Sequence, residues 1–409
     1  MTTNPPQLPQ KLSKRIVASL IARHETTQWE TLIGSLLRRL ELQKSARQAA
    51  EKAYELLGDA IAKKLALPRH DVEVFPQGSM RTQTTISQRH PVKFDLDIVV
   101  KLSGPRYLNP DPEQFFKDFG KALEGNESTT GVPTPKRRCW RLDYPGEPFY
   151  FDVTPAIDDS ACITGAALRV RDPDIRWAPS NPEEFACWFC DKADKRFYFQ
   201  VVSKGERLFA ADSVTPLPSE PIGLDDILRR TVQLMKLHRD TMYWFADEKH
   251  KENQPISIII VTLATHAYND LYLNHQHEFS SPIEVVLALV EAMPDYIERR
   301  SNGNHWVANP KLAGENFADK WNSDDGARHA EFKRWHKALE DDLEALLHQD
   351  EETATVDRIR SVFGEAGVAA WQQSKPKADV MSGLISSAAG HVRSNPSAPL
   401  RSGSHNSLG

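Results

Sequence analysis

From Trp29 onward the apolar positions recur three and four residues apart: Trp29, Leu32, Ile33, Leu36, Leu37 and Leu40, then Ala53, Tyr54, Leu57, Ile61 and Leu65. This period predicts an amphipathic helix, broken once and ending near Pro68, long enough to serve as a spine for more than one lobe. The pattern then changes. Val72–Phe75 reads as a short strand, and Phe94–Val100 alternates before running apolar, as a central strand does. Phe149–Val153 reads as a third strand, closed by Pro155. Asp111–Leu123 has the period of a helix, and Met80–Ile86 that of a shorter one. Beyond Pro216-Leu217-Pro218 the character is helical, over Leu224–Trp244, Ser257–Asn269, Pro282–Met293 and Ala327–Leu347. Strands in the first half and helices in the second predict an α+β fold around one mixed sheet, with a long N-terminal spine and a C-terminal helical lobe. The expected divisions are spine helices over 11–68, a sheet core over 69–215, a helical domain over 216–375 and a tail over 376–409. From Gln372 the chain is rich in Ser, Pro and Gly, and past Ala388 too few apolar groups remain to drive folding.

Composition changes this picture little. The 409 residues carry a formal net charge of -5, so no bulk basic charge advertises a nucleic-acid partner and none is expected to be obligatory. Four cysteines do not make a disulfide framework, and a single Cys187-x-x-Cys190 lacks the second ligand pair of a zinc site, so these are expected to be ordinary core thiols. The first ten residues show no apolar leader segment, and an apolar run such as Ile258–Val261 is far too short for a bilayer. The expected setting is the cytoplasm, without membrane attachment. Lys136-Arg137-Arg138, followed by Trp140 and Arg141, is a basic patch beside an aromatic, read as a solvated loop or as a contact for an acceptor nucleotide or nucleic acid, and Trp29, Trp244, Trp306 and Trp321 are read as core.

The candidate chemistry lies in the strands. Asp95 and Asp97 are two apart on one strand, so both carboxylates leave the same face, roughly 7 Å apart at Cα. Adjacent carboxylates repel, and oxygen-only donors suit a hard divalent cation that removes the repulsion. Asp152, on another short strand, supplies a third acid, and three such groups can hold two metals for phosphoryl displacement. Taken alone, Asp-x-Asp is common by chance and fits a solvated edge strand. What shifts the balance is Val74-Phe75-Pro76-Gln77-Gly78-Ser79 upstream, a strand entering a Gly-Ser turn where backbone can approach a phosphate closely.

A strand, a Gly-Ser turn, a strand bearing Asp-x-Asp and a later third acid together resemble the DNA polymerase β nucleotidyltransferase superfamily. Within it the chain is similar to the CD-NTases, bacterial relatives of cyclic GMP-AMP synthase, over most of 28–325. Pro76–Thr82 resembles the first motif, Phe151–Ala156 the third-acid strand, and Trp177–Pro182 the segment that follows. Leu234-Met235-Lys236-Leu237-His238-Arg239-Asp240 resembles the helix carrying a triphosphate-binding lysine, and Pro255-Ile256-Ser257 the next helix start, whose serine touches phosphates. Asn309-Pro310 and Gly314–Trp321 resemble a late signature of the trinucleotide-making clades. Two features depart from the pattern. Fifteen residues separate Ser79 from Asp95, a little more than usual, and Ile258 stands where some members stack a base on a tyrosine.

The resemblance implies a cyclic oligonucleotide synthase of anti-phage signalling, using ATP and also GTP, with two Mg²⁺ ions or Mn²⁺ as cofactor. Asp95, Asp97 and Asp152 would be the catalytic and metal-binding acids. Gln77, Gly78, Ser79, Lys236 and Ser257 would bind substrate. The late signature points to an adenine-rich cyclic trinucleotide. Related systems include ubiquitin-like conjugating enzymes or HORMA-domain partners, and Gly409, at the end of a flexible tail, is read either as an attachment point for the former or as an ordinary frayed terminus or non-covalent partner-binding tail. The rival readings are a template-independent RNA or tRNA nucleotidyltransferase, which would want a basic acceptor groove, and an inactive nucleotide-binding protein, which would want a missing acid.

Overall fold

The computed structural model describes residues 11–86, 93–125, 133–159, 167–199, 226–348 and 355–374; the tail from 375, including Gly409, lies outside them. Residues through Trp371 form one compact unit. The spine is three helices: α1 (Leu12–Arg23), α2 (Thr26–Arg39) and α3 (Lys44–Leu65). The expected single break falls between α2 and α3, where Leu40 and Leu42 are both buried. It has a structural purpose. Apolar residues of α1 and α2 enter one core and those of α3 another.

The second core lies under the sheet. Strands β1 (Val72–Pro76), β2 (Phe94–Leu102), β3 (Thr134–Pro135), β4 (Trp140–Asp143), β5 (Phe149–Asp158), β6 (Leu168–Asp172) and β7 (Arg176–Ser180) make one mixed sheet. Its order is β1-β2-β5-β4-β3, with β6 pairing β5 and β7 pairing β6. β2 and β5 run parallel, and the other pairings are antiparallel. Alternation along the strands divides the sheet into two chemistries. Leu96, Ile98, Val100, Phe149, Phe151 and Val153 point into the core shared with α3 and with α5 (Pro112–Leu123). The intervening positions, among them Asp95, Asp97 and Asp152, share the opposite face. The α5 start is fixed by its N-cap, since the Asp111 carboxylate accepts from the Glu113 and Gln114 amides.

The larger core is helical. It joins α1 and α2 to α6 (Pro182–Ala193), α7 (Ile227–Trp244), α9 (Ser257–His275), α10 (Pro282–Ala292), α11 (Ala327–Leu347) and α12 (Val356–Ser374). The short helices α4 (Gly78–Thr82) and α8 (Glu248–Asn253) complete the set, and β8 (Glu298–Arg299) with β9 (His305–Trp306) forms a small hairpin. No helix among the described residues is long and apolar enough to cross a membrane.

Several local expectations need correction. Pro155 does not close its strand, because β5 continues to Asp158. The pairing explains the tolerance: β4 pairs as far as Val153 and β6 begins at Ala156, so Pro155, which lacks an N–H, falls between the two neighbours. The helix expected to reach Ile86 stops at Thr82, where Gln83 turns left-handed at φ 58° and the Thr84 amide bonds back to the Ser79 carbonyl at 2.9 Å. Cys187 is exposed and Cys190 half-buried, because α6 turns Phe185, Trp188 and Phe189 inward instead. Arg137 and Arg138 are not a merely solvated loop, since both pair with the buried Asp172. Trp29 and Trp321 are core, but Trp244 is 37% exposed.

Candidate active site

The acids meet through sheet register. In the parallel β2–β5 pair Asp97 lies opposite Asp152, and Asp95 opposite Tyr150. One carboxylate oxygen from each of Asp95, Asp97 and Asp152 can be chosen so that all three lie within 4.8 Å of one another. Burial and the two neighbouring acids push the Asp97 carboxyl up to about 7. Asp95 is raised by partial burial and then by Asp152. Such a trio is short of positive charge, and its oxygen-only donor set fits hard divalent cations.

Within the protein two cations act on it, Lys236 and Arg141, and Arg141 bonds it directly. Arg141 on β4 lies opposite Asp152 in the antiparallel register, and Nε and Nη2 donate to the two Asp152 oxygens at 2.8 and 2.7 Å. Its Nη2 is also 3.8 Å from Asp95, and its guanidinium lies 3.9 Å from the centroid of the Tyr150 ring. The hydrogen bond to Asp152 holds the Arg141 charge more firmly than usual. Sequence reasoning placed Arg141 in a surface patch. Only strand pairing reveals its partner, and no spacing in the sequence encodes that.

The Gly-Ser turn abuts these acids. The Gln77 amide donates to the Asp97 carbonyl at 2.9 Å, tying the turn to β2, and the Gln77 side chain reaches Thr154 Oγ1 at 3.4 Å. Gly78 has φ +56°, and a Cβ there would stand 2.6 Å from Asp97 Oδ2. This position therefore demands glycine on two counts, backbone conformation and space. Ser79 Oγ accepts from Thr85 Oγ1 at 3.3 Å.

Opposite the turn, Lys236 projects from α7. It is buried and donates to the Thr84 carbonyl at 3.0 Å. Burial, then the nearby Arg239, bring its ammonium down to about 8. Arg239 donates to Ser257 Oγ at 2.8 Å and to the Pro255 carbonyl at 3.1 Å, joining α7 to the start of α9. A cleft of about 520 Å³ is lined by Gln77, Gly78, Ser79, Asp95, Asp97, Lys236 and Ser257, together with Arg239, Asp240 and Ile258. Asn309, Glu315 and Phe317 of the late signature form another wall, with Asn309 donating to Glu315 at 2.6 Å. A second recess of about 500 Å³ shares Asp95, Phe94, Ile86 and Asp240 with the cleft and adds Tyr150, Trp244 and Lys251. The structure thus brings the sequence-selected residues, apart from Gly409, around one cavity and its rim.

A carboxylate trio beside a glycine turn and a buried lysine is equipped for chemistry on a polyphosphate. Residues 72–155, which hold the turn and all three acids, match the family model described as the cyclic GMP-AMP synthase DncV-like nucleotidyltransferase domain. The chain carries a DncV-like nucleotidyltransferase domain. Among curated proteins, a c-di-GMP synthase of Roseivirga ehrenbergii is 29% identical over 315 residues, covering 74% of this chain and 75% of the relative. Among solved structures, the Bradyrhizobium diazoefficiens CD-NTase CdnG in complex with GTP aligns at a TM-score of 0.62 and 20% identity, over 84% of this chain and 98% of that one. Escherichia coli MS115-1 CdnC with ATP aligns at 0.54 and 13% identity, over 82% and 98%. The same protein in its CdnC:HORMA-deltaN complex aligns at 0.55 and 14% identity, over 82% and 97%. At these identities the structural matches establish the shared CD-NTase fold. The nucleotidyltransferase-domain match makes this α+β chain a nucleotidyltransferase.

Proposed function

We propose that this DncV-like enzyme links nucleoside triphosphates into a cyclic oligonucleotide. The observation that supports this most directly is the convergence of Asp95, Asp97 and Asp152, within 4.8 Å, beside a cleft that also holds Gly78, Ser79 and Lys236. In the reaction, a sugar hydroxyl oxygen bonds to the α-phosphorus of a triphosphate. The bond to the β-phosphate's bridging oxygen breaks and pyrophosphate leaves. The hydroxyl proton passes to Asp152 or onward to solvent. Mg²⁺ or Mn²⁺ ions held by the three acids would neutralise the triphosphate and acidify the attacking hydroxyl.

The chain's own groups do the rest. Gly78 lets phosphate oxygens approach the backbone, and the Ser79 hydroxyl donates to them. Lys236 carries a buried charge at the leaving pyrophosphate, where low dielectric strengthens it. Gln77, Arg239 and Ser257 complete the cradle, and Arg141 keeps Asp152 aligned. The adjoining recess, which shares Asp95 with the cleft, offers room for a second nucleotide beside the first.

The decisive experiment incubates the protein with all four triphosphates and Mg²⁺, then reads phosphatase-resistant products by mass. Cyclic products support the proposal, and linear products alone overturn it. The masses also separate two finer readings. The late signature favours an adenine-rich cyclic trinucleotide. The name of the Roseivirga relative favours a cyclic diguanylate. For the biological role we propose anti-phage signalling, with a HORMA-domain or ubiquitin-like conjugating partner, the latter acting at Gly409. Phage plating on cells that carry the intact or the Asp95→Asn gene with its neighbours tests it, and equal plating would refute it.

A further inference from the structure

Outside the catalytic cleft, the β8–β9 hairpin and α11 enclose a recess of about 330 Å³, within the size range of small-ligand sites. Its charged lining is Arg299 from β8, His305 from β9, and His329, Lys333 and His336 from α11, with Pro294, Ile297 and Phe332 as the apolar floor. His329, Lys333 and His336 fall four and three residues apart and so share one helix face. The imidazoles of His305 and His329 lie against each other at a tilt of 37°, with centroids 3.8 Å apart, and Trp321 backs them at 6.0 and 5.2 Å.

This arrangement is electrostatically lopsided. Burial, and then like charges, lower the basicity of both histidines: Arg299 and Lys333 act on His305, and His305, Lys333 and Arg299 on His329, which falls to about 4. Among the described residues, no carboxylate is among the charges acting on either ring. The nearest acid of the wall, Glu340, stands 3.7 Å from His336 Nδ1, while the other nitrogen of that ring bonds the Val290 carbonyl at 2.7 Å. His336 is therefore already partnered. The cations of the recess are Arg299, whose Nε donates to the Gly303 carbonyl at 3.3 Å, and Lys333, and no ion pair to either is found among the described residues. Surface lysines and arginines usually find acids or water. Here two cations line the recess beside two rings whose basicity they lower, so that negative charge brought into the recess would favour ring protonation.

We propose that this recess binds a phosphate-bearing small molecule, at a site separate from the catalytic cleft. Arg299 and Lys333 would meet the phosphate oxygens, His305 and His329 would take up protons as it binds, and Phe332 and the imidazole faces would cover whatever apolar part it carries.

The test is calorimetric titration of the full-length protein without divalent metal, in the Lys236→Ala background so that the cleft lacks its buried cation. The titrants are inorganic phosphate, AMP and adenosine. The expected result is binding of phosphate and AMP with proton uptake, read as a heat that changes with the buffer's own ionisation heat. AMP binding more tightly than phosphate identifies a nucleotide ligand, and equal affinities identify inorganic phosphate. Arg299→Ala with Lys333→Ala, both exposed positions, should lower affinity about tenfold or more without altering the melting temperature. Affinity unchanged in that double variant, adenosine binding as well as AMP, or a heat independent of buffer would each overturn the proposal.

Discussion

At the scale of single residues, Asp97 is the most constrained group in the cleft. Its carboxyl, at an ordinary value of 3.8 when unfolded, is pushed up to about 7 in the folded protein by burial and by Asp95 and Asp152. The folded state therefore holds a proton that the unfolded state has released. Without divalent cations, stability should fall as pH rises from about 4 to 7, by on the order of 4 kcal/mol. Asp95→Asn with Asp97→Asn should abolish nucleotide joining, yet raise the metal-free melting temperature at pH 8. Thermal melts across pH, with and without Mg²⁺, check both halves; a double variant that joins nucleotides at the wild-type rate would remove the acids from the mechanism. Lys236 has the opposite sign. A base brought down to about 8 costs the fold most below that pH, where it is charged and buried, and a bound triphosphate relieves that cost. Lys236→Ala should then impair catalysis more than Ser79→Ala, since a charge-assisted contact contributes about 1.5–3 kcal/mol and a neutral one about 1. Steady-state kinetics ranking the two equally would argue against the lysine's proposed place at the phosphates. Gly78→Ala should be inactive while still folding, because its Cβ would crowd Asp97 and its backbone would be strained by about 1–2 kcal/mol.

At the scale of elements, the sequence declared most of what positions the cleft. Alternation in Phe94–Val100 placed Asp95 and Asp97 on one face because the strand period is two, while Asp152 joins them through the β2–β5 register. The spacing of Trp29–Leu65 marked the spine, and its break coincides with the change from helical core to sheet core. What remained hidden depends on pairing. Arg141 meets Asp152 only because β4 and β5 set them opposite, and Pro155 is tolerated only because its neighbours change there. Cys187 faces outward although its helix is apolar, since Phe185, Trp188 and Phe189 already fill the inward stripe. The packing of α5 on the sheet is a similar case. Gly120 lies against Trp140, and an added Cβ would stand 2.2 Å from that indole, whose Nε1 donates to the Phe116 carbonyl at 3.1 Å. Gly120→Ala should destabilise the protein by about 1–3 kcal/mol through overpacking. It should also disturb β4, and with it Arg141. Denaturant unfolding showing no change would mean that α5 can slide away freely.

At the scale of the whole molecule, the question is whether the acceptor is a nucleotide or a nucleic acid. The chain is acidic overall, and among the described residues the cationic groups at the cleft, Lys236 and Arg239 in its wall and Arg141 on Asp152, form no continuous stripe. A polynucleotide acceptor needs several phosphate contacts along a groove, and each contributes to a steep salt dependence. The recess beside the cleft, about 500 Å³, is lined by Tyr243 and Trp244 and carries Lys93 and Lys251, room for one nucleotide. We therefore expect RNA to be neither consumed nor required, and the reaction to depend only weakly on monovalent salt. The measurement supplies labelled ATP with and without transfer RNA, at low and moderate salt, and separates soluble product from extended RNA. Label entering the soluble, phosphatase-resistant fraction equally in both samples fits a nucleotide acceptor. Label appearing at the RNA 3′ end, with a rate that falls steeply as salt rises, would establish a template-independent polymerase, and would mean that residues outside those described supply the groove.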